Sequence, residues 1–217
     1  MTEQKDTYAI VLLGGMNPRI HHPSWYRFVN LFDEEEADLA IKTPSTFITP
    51  ILSQIETPKV TIVCQDNRWE IRTSDPDQVQ RLQDITSKLF DDILPHTPIM
   101  AGGFNFTYRK ATKATDVAGY LASVLVNAPF GLKADHAMSG EFTLRRSFDE
   151  HTVLVSVRPA PDDKQTVLCF HNFEYQFQYE GPFKLGDVIA QRYGLDKSES
   201  EEQTTLIVEA IDRWSRE

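Results

Sequence analysis

Apolar and polar positions alternate most strictly between Thr166 and Tyr179. Val167, Cys169, His171, Phe173, Tyr175, Phe177 and Tyr179 hold the odd positions, while the even ones from Asn172 onward are Asn, Glu or Gln. A period of two puts one set of side chains on each face of a strand, so this stretch predicts a strand with a firmly set register. At ~3.3 Å per residue it would span roughly 45 Å, longer than most strands, and its distal half would outrun its neighbours. Two strands precede it in a meander: Phe142 and Leu144 alternate with charged neighbours, then Val153, Val155 and Val157 follow the turn at Asp149-Glu150.

The stretch from Lys59 to Lys110 carries a second dense pattern. Val60 to Cys64 is rich in β-branched residues, Arg68 to Thr73 alternates, and Gln65-Asp66-Asn67 between them suits a tight turn. Asp75 and Pro76 mark a helix start, and Val79, Leu82, Ile85, Leu89, Phe90 and Ile93 recur at helical spacing until Pro95. Phe104, Phe106 and Tyr108 then alternate with polar residues as a third strand, expected to pack its rings on the 79–93 helix.

Elsewhere, Tyr8 to Leu13 reads as a central strand ended by Gly14-Gly15. Trp25 to Phe32 reads as a short helix, with a second starting at Asp33. Lys42 to Pro58, with Pro44, Pro50 and Pro58, reads as a long ordered loop or irregular strand. A helix over Val117 to Leu125, a short helix over Asp187 to Tyr193 and a closing helix capped by Ser198 and Glu201 complete the set. The predicted class is α+β: a ferredoxin-like (split β-α-β) first half continued by an antiparallel meander, in one extended, mostly antiparallel sheet with helices on one face. A single domain over 1–217 is expected, with 110–115 the place where it would divide into sub-domains.

Of 217 residues 41% are hydrophobic and 11% aromatic, enough for a core. A net charge of −10 argues against broad binding to nucleic acid or anionic lipid and predicts no appreciable affinity for duplex DNA. Cys64 and Cys169 fall in strand-like runs without a Cys-x-x-Cys, which predicts reduced, buried thiols and no zinc. No apolar run reaches the ~20 residues needed to span a bilayer. The expectation is a soluble cytoplasmic protein that does not engage membranes.

Chemical motifs are absent. Gly14-Gly15 is followed by Met16-Asn17-Pro18-Arg19, which matches no phosphate loop, and no Gly-x-Ser-x-Gly or His-x-x-x-His occurs. His21, His22 and the acids Asp33 to Glu36 read as a solvated helix start rather than a metal site. His171, on the apolar side of its strand, reads as a core histidine. Glu70, Asp135, His136, Glu141 and His151 are the residues from which a dispersed hydrolase or nuclease-like site could be assembled, although their spacing assigns none. Gly103-Phe104-Asn105-Phe106-Thr107-Tyr108 resembles the aromatic strand of RNA-recognition domains, which would imply stacking on single-stranded bases. Here, however, the strand follows the second helix instead of the first.

No cofactor is expected. The first-ranked reading is a non-enzymatic binding or assembly protein acting through protein–protein contacts, with a dispersed enzyme second and RNA binding third. Phe173, Tyr175, Phe177 and Tyr179 are the candidate interface, covered by a protein partner and foremost by a second copy in a homodimer. The competing cover is the chain's own closing helix, through Ile207, Ile211 and Trp214.

Overall fold

The computed structural model describes residues 5–126, 141–177 and 184–215. Nine strands are present among them: β1 (Thr7–Gly14), β2 (Phe47–Ile48), β3 (Leu52–Glu56), β4 (Thr61–Gln65), β5 (Arg68–Thr73), β6 (Ile99–Ala111), β7 (Phe142–Ser147), β8 (His151–Ala160) and β9 (Asp163–Gln176). The helices are α1 (Pro23–Phe28), α2 (Glu34–Lys42), α3 (Val79–Ser87), α4 (Val117–Val126) and α5 (Leu185–Trp214). The protein is α+β, and its strands form one open antiparallel sheet in the order β2-β3-β4-β5-β1-β6-β9-β8-β7. Contacts divide the chain into two compact units, one of residues 7–105 and 174–195, the other of residues 1–6, 106–173 and 196–217.

In the unit of residues 7–105 and 174–195, β4 and β5 form the expected hairpin, with Cys64 opposite Trp69 and Gln65 opposite Arg68. Strand β1 lies against β5 in the register Tyr8 to Thr73. Gly14 is required by a close approach: a Cβ there would sit 2.1 Å from the Pro98 carbonyl oxygen. This steric demand accounts for the glycine without any phosphate. The stretch over 42–58, expected as a long ordered loop or irregular strand, contains the short strands β2 and β3. Its three prolines fall outside both strands, Ser53 and Ile55 alternate inward, and Thr46 Oγ1 accepts from the Glu56 amide.

The helices of this unit start where capping chemistry places them. Asp33 accepts a 2.7 Å bond from the Glu36 amide at the head of α2, which holds its carboxyl below the usual range. Asp75 accepts from the Asp77 amide at a 3-10 turn that leads into α3. Beyond Ser87 the helix widens into a π-helical stretch over Lys88–Ile93 and then ends. Leu82, Ile85, Leu89 and Phe90 are buried, and α3 covers β1 and β5. The Phe90 ring meets Trp69 edge-on at 5.1 Å. Buried Glu36 on α2 pairs with Arg81 on α3.

The partners of Phe104, Phe106 and Tyr108 lie on β9 and α5. Phe104 meets Tyr175 and Tyr193, Phe106 meets Phe173, and Tyr108 meets His171. The sequence pattern predicts two terminal helices, yet α5 is continuous over 30 residues. Ser198 and Glu201 have capping-box spacing, but nothing interrupts the helix there. The one glycine in its middle, Gly194, costs only about 1 kcal/mol relative to alanine.

In the unit of residues 1–6, 106–173 and 196–217, β7 and β8 pair from Phe142 opposite Val157 to Ser147 opposite Thr152. Asp6 anchors β6, accepting from the Arg109 amide at 2.7 Å and pairing with Lys110 at 2.8 Å. Val117 and Leu121 of α4 are buried, and Tyr120 packs on Trp214 at 5.3 Å.

Leu89 is fully buried. Its replacement by alanine is expected to cost roughly 2–5 kcal/mol in a urea titration, and a loss below about 1 kcal/mol would refute its place in the core.

Candidate functional site

The aromatic row of β9 faces inward. Phe173 and Tyr175 are buried by the chain itself. Tyr175 lies 5.6 Å from Phe104, and its hydroxyl accepts from Arg192 Nε at 2.9 Å, so the first turns of α5 supply the cover. Phe177 is half-buried, its ring edge against Gly102, and its amide donates to the Met100 carbonyl at 2.9 Å. Tyr179 lies outside the described residues. Of the closing-helix residues expected over this row, Ile211 is buried, Ile207 is half-buried and Trp214 rests on Tyr120. Phe104, Phe106 and Tyr108 are likewise buried and present no open ring to a base.

Glu70 is held between Arg68 and Arg72 at 2.5 and 3.2 Å. His151 stacks on Phe148 at 4.6 Å, Glu141 is exposed, and Asp135 and His136 fall outside the described residues. No group of three or more His, Cys, Asp or Glu that could hold a metal ion occurs among the described residues. His21 Nδ1 lies 2.7 Å from the Tyr26 hydroxyl, which also accepts from Trp69 Nε1 at 3.4 Å. Both cysteines are free and buried, and burial pushes each thiol up to about 12, far from thiolate reactivity at neutral pH.

Open apolar surface is found on the β7–β8 hairpin. Leu144 faces Val155 and Arg146 faces Val153, so these four side chains share one side of the hairpin. Glu199, Gln203, Leu206 and Ile207 recur at helical steps on α5 and complete a groove of about 270 Å³. Its walls are mainly aliphatic, with Arg146 and Glu199 as the charged members. Leu144 is 67% exposed and Leu206 55%. Two buried hydrogen bonds set this part of the helix on the sheet: Tyr108 to Ser200 at 2.8 Å and His171 Nε2 to Thr204 at 2.9 Å.

The hairpin is also locally basic in an acidic chain. Arg146 lies over the Phe148 ring at 4.6 Å and Arg158 over Phe170 at 4.5 Å. Among the described residues no carboxylate pairs with Arg145, Arg146 or Arg158. The groove could not be anticipated by a local pattern, since its lining comes from segments some fifty residues apart in sequence. The exposed aliphatic Leu144 between polar Thr143 and Arg145 was the available signal.

Compared with known protein families and with curated proteins, the chain matches none. No described helix is long and apolar enough to cross a membrane.

Burial lowers the pKa of both His21 and His171 to about 4. Both folded values lie below the unfolded value of about 6.5, so each neutral ring contributes stability that is complete above that pH and is lost as pH falls toward 4. The upper bound is roughly 3 kcal/mol per histidine. Urea titrations at steps from pH 7.5 to 4.5 should show this decline, and His171→Gln should flatten part of the slope. An unchanged slope would place His171 outside the acid response.

Proposed function

We propose that this is a non-enzymatic binding or assembly protein that acts through protein–protein contacts, with self-association into a homodimer as the leading form. The observation that carries this reading is the open aliphatic groove between the β7–β8 hairpin and α5, with Leu144 and Leu206 more than half exposed beside it. Exposed apolar side chains gathered in one concave place favour a protein ligand, whereas scattered ones need no explanation. The polar groups around this groove, Arg146, Glu199 and Gln203, suit rim hydrogen bonds and ion pairs.

Two finer readings go with it. The two free, buried thiols favour a reducing, cytoplasmic setting. The order β4-β5-β1-β6 within the sheet supports a split β-α-β kernel of ferredoxin-like type, extended by β2 and β3.

Sedimentation velocity on the native protein tests the functional reading. Association is expected at tens of micromolar, and Leu206→Lys, an exposed change compatible with the helix, should weaken it about tenfold or more, the equivalent of ~1.4 kcal/mol. A protein that stays monomeric throughout that range would overturn the homodimer.

A further inference from the structure

The occupant and the geometry of this surface can be specified further, on the basis of the functional reading above. We propose that a second copy of the chain docks edge to edge through β7, antiparallel, in the one register that sets Leu144 opposite Leu144 of the second copy.

Among the described residues β7 is last in the sheet order, and β8 is its sole neighbour there. Five of its six residues are exposed and the sixth is half-buried. Such an edge presents one row of backbone donors and acceptors to any incoming strand. Arginines on an edge ordinarily discourage this, which is the plain reading of Arg145 and Arg146. Whether they do so against a second copy depends on register.

Antiparallel partners that face each other point to the same side of the sheet. A two-fold pairing of β7 with itself must therefore be centred on a residue, and four centres pair at least three residues of the strand. Centred on Arg145, the pairing stacks Arg145 on its own copy and sets Glu141 opposite Asp149, placing like charges together at the middle and at both ends. Centred on Thr143 or on Arg146, it uses only residues 142–144 or 145–147 of the strand, and the latter also sets Arg146 on its own copy. Centred on Leu144, it uses residues 142–146 and leaves no like charges opposed.

In that register the directly opposed residues are compatible, and the one like-charge contact, Arg145 diagonal to Arg145 of the second copy, is offset by Glu141. Leu144 covers Leu144. Phe142 faces Arg146, a cation–π pair of the kind Arg146 already makes with Phe148. Thr143 faces Arg145. Glu141 lies diagonally from Arg145 on the same side of the sheet, and so supplies the carboxylate that Arg145 lacks among the described residues of its own chain. The strand is thus complementary to itself at one setting, which a second copy satisfies and an arbitrary peptide does not.

Five paired residues fall short of the roughly 800 Å² per partner of a standard stable interface. The dimer is accordingly weak and reversible. Each copy carries −10, so added salt, which screens repulsion between the copies, strengthens it.

Single-cysteine scanning tests the register on the full chain, because native Cys64 and Cys169 are buried and give little background. Thr143→Cys, Leu144→Cys, Arg145→Cys and Ser147→Cys are each oxidised at tens of micromolar, with circular dichroism to confirm the fold. The disulfide-linked dimer should form in highest yield at 144, several-fold above 147, whose counterpart in this register is Glu141. A maximum at 143 or 145, or a flat profile in a protein that still sediments as a dimer, overturns this geometry and leaves the homodimer intact. A protein that sediments as a monomer and fails to cross-link at every position overturns both.

Discussion

Two buried hydroxyls decide how the second half of α5 is turned on its strands. Ser200 donates to the Lys197 carbonyl at 2.7 Å, so its oxygen is left to accept from Tyr108; Thr204 meets the ring of His171. A buried polar group without a partner costs about 1–3 kcal/mol, and a helix advances about 100° per residue. Rotating α5 by a single residue would orphan both pairs at once. With the helix held at that one angle, Gln203, Leu206 and Ile207 have to face the β7–β8 hairpin. The groove therefore follows from polar pairing in the core beside it.

A comparable pin holds the other unit. The Tyr26 hydroxyl is shared by His21 and Trp69, and the Tyr26 ring stacks on Phe32 at 4.9 Å. Desolvation keeps the phenol protonated and the imidazole neutral, so this cluster works as an uncharged hydrogen-bonded knot. The neighbouring His22 acts differently, its ring capping α1 by accepting from the Ser24 amide. The adjacent pair is explained by packing and capping, one residue each.

Strictly local chemistry was legible in the sequence. The alternation of β9 survives as inward Val167, Cys169, His171, Phe173 and Tyr175, although the strand begins and ends three residues earlier than its pattern suggests. Asp33 and the β4–β5 hairpin fall where turn and cap chemistry put them. The misread stretches are those where local signals compete with tertiary ones. Prolines around β2 and β3 left loop and irregular strand both open for two short strands whose pairing comes from neighbours, and capping-box spacing inside α5 imitated a helix start that the chain never uses. Periodicity identified the inner face of β9 correctly but could not name its cover, Tyr193 and Arg192, because those residues are distant in sequence. For the same reason the groove was invisible: Leu144 and Leu206 each look ordinary until the fold brings them together.

The two borders of the sheet are unequal. Strand β2 stands first in the order and is two residues long, between Pro44 and Pro50; β7 stands last and has six. A fibre built by head-to-tail strand addition consumes one border of each molecule against the opposite border of the next. Here a stub that short offers almost no ladder, and the prolines flanking it lack the amide that would extend one. Head-to-tail addition thus has little to continue on, and a sheet joined through β7 of two copies ends on a β2 stub at each side.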